Sequence, residues 1–222
     1  MNVKSSVVAL LLALLLAGAL SACDNLQSIR GSGILETEER PVDAFTDLVV
    51  EGGLPVDVTV EPGGAYSMTV TIDNNLIDMV EHETVDGVLT VRATEPFRQS
   101  RRASIALVTP ELRSVAASGG ADVAITGVYG EEFSVRASGG ADVAAAGEVT
   151  LLVVEASGGA DPRLRDLLAE RAEVTASGGA EVHLYASVSL EGSASGGADI
   201  RVYGNPGDVR VETSGGGEVD VR

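Results

Sequence analysis

An acid, a hydroxyl and two glycines recur together six times in the second half of this 222-residue chain. Ala117-Ser118-Gly119-Gly120-Ala121-Asp122 returns at 137–142 and 156–161, and variants stand at 176–181, 194–199 and 213–218. The acids are Asp122, Asp142, Asp161, Glu181, Asp199 and Glu218. Lined up about 5 Å apart, neighbouring carboxylates would repel by about 0.8 kcal/mol in water, and by about 3 kcal/mol at an effective dielectric near 20. Such a column either raises some carboxyl pKa values or weakly recruits a hard cation such as Ca²⁺. In the alternative, each carboxylate accepts hydrogen bonds from the amides of its own Gly-Gly corner, as Asp does in turns, and no metal is needed. The metal question stays open at this point, and no other cofactor is implied.

The serines of the motif, Ser118, Ser138, Ser157, Ser177, Ser195 and Ser214, could suggest a nucleophile, but none has a base beside it. They read as a structural ladder of mutually bonded hydroxyls. His82 and His183 fall in unrelated segments and read as strand or surface residues. The glycine pairs are not a phosphate loop, because no Lys-Ser/Thr follows at the required spacing. Arg98, Arg101 and Arg102 form the one basic cluster; a solvated loop fits it better than a site for an anionic glycan or headgroup. No catalytic residue is assigned, and the chain is not expected to be an enzyme.

The elements that position these residues follow from their spacing. Successive serines lie 20, 19, 20, 18 and 19 residues apart, a period that calls for an array of equal units. Apolar residues alternate before the serine (Phe133 and Val135, Leu152 and Val154) and after the acid (Val123 and Ile125, Val182 and Leu184). Period two on both sides of a Gly-Gly corner predicts strand, turn, strand. Two short strands and their corners in 18–20 residues match one coil of an all-β, single-stranded parallel β-helix, a β-solenoid with ~19-residue coils. Residues 161–170 carry a local helix signature with Pro162 in its first turn. Because the period across them stays at 20, they are expected to form an irregular coil instead.

Residues 36–112 read as the N-terminal, β-rich part of the same solenoid and 113–222 as its regular part. Strands are predicted around 45–50, 56–60, 67–72, 88–91 and 105–108, and a short helical turn around 74–80. In this half, Phe45 to Gly52, Asp73-Asn74-Asn75-Leu76-Ile77, Asp86 to Val91 and Thr109-Pro110-Glu111-Leu112 stand in order before the repeats. That order, over about 36–222, resembles the head GIN domain family, whose label is "putative auto-transporter adhesin". The resemblance implies an exported or lipid-anchored bacterial β-helical protein and carries no assigned biochemistry.

Lys4 followed by the apolar run Val7–Leu20 reads as a signal peptide over 1–22, too short to span a bilayer. Leu20-Ser21-Ala22-Cys23 looks like a bacterial lipobox, which makes Cys23 a lipidated N-terminus and 23–35 a tether. The expected location is the cell envelope, at the periplasmic side of the inner membrane or at the outer membrane. The whole chain carries 33 acidic against 15 basic residues, a net charge of −18. Removing 1–22 takes away Lys4 and no acid, which leaves 14 − 33 = −19. Nucleic acid is excluded as a partner, since phosphate binding needs clustered cations. The expected contacts are the membrane through the anchor, an envelope protein or glycan, and another copy through the C-terminal coil, whose last strand exposes an edge. The functional expectation is structural or adhesive, with a cation- or glycan-binding module next and an envelope polysaccharide enzyme last.

Overall fold

Alternation of apolar and polar residues on both sides of each glycine pair leaves no helical face to bury, so the chain packs as strands. The computed structural model describes residues 28–99 and 103–222. It is nearly all β, 2 % helical, with parallel coils stacked into a solenoid of roughly five turns. The one helical element among the described residues is a 3-10 turn at Ile77–Met79. The signal segment, Cys23, Arg101 and Arg102 lie outside the described residues.

Each rung has an approach leg into the Gly-Gly corner, an exit leg leaving it and a return leg. Strand Asp122–Ala137 runs through exit, return and the next approach, and its register to Asp142–Ala156 shifts between Ile125 and Val128 where it bends. Parallel pairing superposes like on like. Val123 lies on Val143, and Phe133 on Leu152, which lies on Ala172.

The corner explains the glycines. In all six copies the first glycine has φ between +61° and +73°, a conformation that a Cβ disfavours. In three copies the second glycine's N–H also reaches the carbonyl of the first glycine one rung above: Gly159 to Gly139, Gly179 to Gly158 and Gly197 to Gly178, at 2.6–2.7 Å. The alanine that follows (Ala121, Ala141, Ala160, Ala180 and Ala198) is at most 1 % exposed, which leaves no room for a larger side chain.

The helix signature at 161–170 loses to the stack. These residues form strands Asp161–Leu164 and Leu167–Ala176, with Pro162 buried. A ring without an N–H cannot donate to the ladder, and pairing to the next rung begins only at Arg163 opposite His183.

The first end is put together out of chain order. Strands Asp47–Glu51 and Pro55–Val60 form a rung that lies between two rungs made later in the sequence. On one side they pair with Val88–Ala93 and Ser104–Thr109, and on the other with Ser114–Ser118 and Asp122–Ala137. Antiparallel strands Leu35–Arg40, Ser67–Asp73 and Val80–Val85 then close that end. Within the stretch read as a tether, residues from Ile29 on are held to the domain. Ile29–Arg30 pairs with Phe97–Arg98, and the Gly33 N–H donates to the fully buried Asp73 at 2.7 Å.

Candidate functional site

The serine ladder forms, but its backbone holds it. Each serine N–H donates to the carbonyl of the alanine that precedes the serine one rung above: Ser138 to Ala117, Ser157 to Ala137, Ser177 to Ala156, Ser195 to Ala176 and Ser214 to Ala194, all at 2.9–3.0 Å. Among the described residues no hydrogen bond joins the hydroxyl of Ser118 or of any later ladder serine to the next. The expected chain of bonded hydroxyls is therefore replaced by a peptide ladder with hydroxyls at the surface, because peptide groups already set the rung spacing.

The acids also stack, one per rung, at the start of the exit leg. Asp122 pairs in register with Asp142, Asp142 with Asp161, Glu181 with Asp199 and Asp199 with Glu218. Their carboxylates meet neither a corner amide nor, among the described residues, any cluster of three or more metal-type ligands. Four of the six, Asp142, Asp161, Glu181 and Asp199, meet Arg163 or Arg201, each of which stands two positions further along its own leg. Arg163 lies 2.6 Å from Asp161 and 3.5 Å from Asp142. Arg201 contacts Glu181 and lies 3.9 Å from Asp199. The hydrogen bond to Asp161, then the charges of Asp161, Asp142 and Asp122, hold the Arg163 guanidinium above its ordinary pKa. Strand alternation causes this arrangement, since positions i and i+2 share a face and stacking brings in the rung above and below.

Two further columns on this exit face escaped the motif-centred reading. Beside the acids runs Arg163, His183, Arg201, Asp220, and beyond it Tyr185 pairs in register with Tyr203. His183 Nε2 lies 3.0 Å from Glu181, and its ring stacks with Tyr203 at 6.4 Å and 19°. The Arg165 guanidinium sits 4.6 Å from the centre of the Tyr203 ring. The signal was available: Tyr185 and Tyr203 are 18 apart, as are Ser177 and Ser195. In the rungs above, the corresponding positions hold Ala124 and Ala144 and the face is bare. His82, far from this face, lies 3.0 Å from the Pro41 carbonyl. Arg98 lies in the short strand paired to Ile29–Arg30, apart from all the ladders.

The approach face carries a shallow hollow of about 610 Å³ beside the serines, floored by Val49, Ala116 and Ala137 and flanked by the Arg136–Glu155 ion pair. The return leg exposes Tyr129, Leu168 and Val188. These surfaces spread contacts along rungs and do not converge on one reacting atom.

Comparison with known proteins agrees with this architecture. None of the curated proteins matches the sequence. Among solved structures, one described as a "putative adhesin" from Bacteroides fragilis is 16 % identical, covers 88 % of this chain and 100 % of its own, and superposes with a TM-score of 0.69. A "putative lipid binding protein" from Parabacteroides distasonis is 18 % identical with the same coverage and a TM-score of 0.58. A "putative adhesin" from Parabacteroides merdae is 17 % identical, covers 88 % of this chain and 99 % of its own, and has a TM-score of 0.55. At such identities the likeness is one of fold. The profile of the family described as "Putative auto-transporter adhesin, head GIN domain" matches residues 44–206. From the out-of-order first rungs to the Tyr203 rung, the chain belongs to the head GIN domain family.

Proposed function

We propose that this protein is an exported lipoprotein, held at the bacterial cell envelope by acylated Cys23, that presents a rigid acidic β-solenoid for adhesion without catalysis. The family match over 44–206 carries the adhesive part of the reading, since that family is described by adhesion. The anchor rests on Lys4, the apolar run to Leu20 and Leu20-Ser21-Ala22-Cys23. A stack whose side chains stand one per rung suits multivalent contact with an extended partner, an envelope glycan or protein, better than it suits bond-making at one point. Self-association belongs to the same reading. Strands Asp208–Thr213 and Glu218–Val221 form the last described rung, with Val209 and Val221 exposed at its edge.

The test has two arms. Metabolic labelling with a palmitate analogue should mark the wild-type protein and not Cys23→Ala, and Cys23→Ala should leave the membrane fraction. Cells displaying the protein should adhere to envelope-coated surfaces more than cells lacking it. Label retained in Cys23→Ala would overturn the anchor, and equal attachment of both cell types would overturn the adhesive role.

A further inference from the structure

The exit face of the lower rungs differs in charge from the rest of the molecule. Three successive rows face solvent there: Asp161-Arg163-Arg165, Glu181-His183-Tyr185 and Asp199-Arg201-Tyr203. Arg163, Arg165 and Arg201 offset Asp161, Glu181 and Asp199, so this patch carries no excess of acid in a chain of net charge −18. Each of its acids has a cationic partner. Arg165 makes no ion pair among the described residues and lies over Tyr203 instead. Two of the chain's four tyrosines stand in one column here. Tyr203 is flanked by Arg165 and His183, and the Tyr185 ring lies over Gly204, where a Cβ would come within 2.8 Å of it. The rings are therefore held in place before any ligand arrives, which lowers the ordering cost of binding.

From this we infer that the exit face around Tyr185 and Tyr203 is a binding platform for an uncharged polysaccharide strand. The inference deepens the adhesive reading and rests on it. A polyanion is disfavoured by the surrounding negative charge, and a polycation finds the local carboxylates occupied and Arg165 in its way. A pyranose offers what the patch can receive: an apolar C–H face for a tyrosine ring, and hydroxyls that both donate and accept. Guanidinium N–H groups meet the acceptor lone pairs, and paired carboxylates keep free lone pairs for the donors. An open face without walls admits an internal stretch of polymer. Rungs about 4.8 Å apart set an acid at the same place in each row and a tyrosine in two successive rows along it.

Native affinity electrophoresis of the full exported chain tests this, with gels containing barley β-glucan, xylan, mannan or dextran, and polygalacturonate as the anionic arm. At least one neutral polymer should retard the protein. Tyr203→Ala and, as a milder surface change, Arg165→Gln should each weaken that retardation about tenfold. Tyr129→Ala, on the return leg, should leave it unchanged. Circular dichroism melts check that the variants are folded, and should Tyr203→Ala unfold, Arg165→Gln decides. No retardation by any neutral polymer, retardation by polygalacturonate alone, or retardation indifferent to Arg165→Gln would overturn the assignment. If displayed protein still mediates attachment in that case, only the ligand class falls and the adhesive role stands.

Discussion

Around the first rungs the core is filled by Phe45, Leu48, Leu54, Met68, Ile72, Leu89, Ile105 and Leu107, whereas in the repeats the corners are lined by Ala141, Ala160, Ala180 and Ala198. The first end threads one rung between two later ones and closes with antiparallel strands. The repeats stack strictly in chain order, each touching its neighbours. The difference is between a conventional core, which can end a stack, and a narrow column, which can only be extended. Stability at the first end should therefore hang on a few large side chains. In the column it should hang on the steric fit of each corner.

The largest effect should come from Phe45→Ala. Phe45 is 1 % exposed, packs beside Tyr66 at 5.8 Å and lies where the interleaved rungs meet. Its loss should cost about 3–5 kcal/mol in urea unfolding. Val154→Ala, buried in the column, removes two methyl groups and should cost about 2 kcal/mol. Equal costs at the two sites would break the comparison.

Next come two glycines with nearly the same backbone. Gly158 has φ +72° at a ladder corner and Gly63 has φ +76° in a loop of the first end. An added Cβ meets nothing within 4 Å at Gly63, but at Gly158 it comes within 3.0 Å of the Gly139 carbonyl oxygen. Gly63→Ala should cost only the left-handed strain, about 1 kcal/mol after the gain from a stiffer unfolded chain. Gly158→Ala should add the cost of forcing two rungs apart, for about 2–4 kcal/mol in all. Thermal melts that rank the two equally would show that stacking does not constrain the corner.

Thr109→Val sharpens the account of the first end. Thr109 is fully buried, and its hydroxyl lies 2.8 Å from the Glu111 carbonyl and 3.2 Å from that of Phe45. It ties the end of one rung to the start of another across the inserted rung. Valine keeps the shape and removes the single O–H donor that these two carbonyls share, so a loss of about 1–3 kcal/mol is expected. Thr175→Val, at an exposed site in the column, should change stability by less than about 0.5 kcal/mol.

Much of the column was legible because one signal, a period near 19 residues, overrode every local one. It outweighed the helix signature around Pro162, since one misplaced rung would put all later residues out of register. The threading of Asp47–Val60 between later rungs was not legible, because chain order carries no record of which rung a strand joins. The helical turn expected around 74–80 forms at Ile77–Met79, but strand Val80–Val85 just after it is not among the expected strands; its VEHETV pattern alternates, and its pairing with Val88–Ala93 depends on the Asp86-Gly87 turn between them. The acids stack in register, and the partners that four of them have are Arg163 and Arg201 rather than the corner amides. The period extends beyond the motif itself, two positions further to Arg163 and Arg201 and four to Tyr185 and Tyr203, where varied residue types hide it from a search for identical letters.

The smallest effect expected is the most direct probe of what holds the column together. Ser157 recurs in every repeat, and such regularity invites the view that its hydroxyl is structural glue. Yet its side chain stands at the exposed corner, and the bond that fixes its rung is its own N–H to the Ala137 carbonyl at 3.0 Å, which any residue but proline would make. Ser157→Ala keeps that bond, buries no polar group and stays small enough for the corner, so its effect should be below about 0.5 kcal/mol. A loss above about 1 kcal/mol would mean that the hydroxyls do bond in series and that the column is held from its surface. A null result would leave the serines selected for size, as the residues that let the glycine behind them turn.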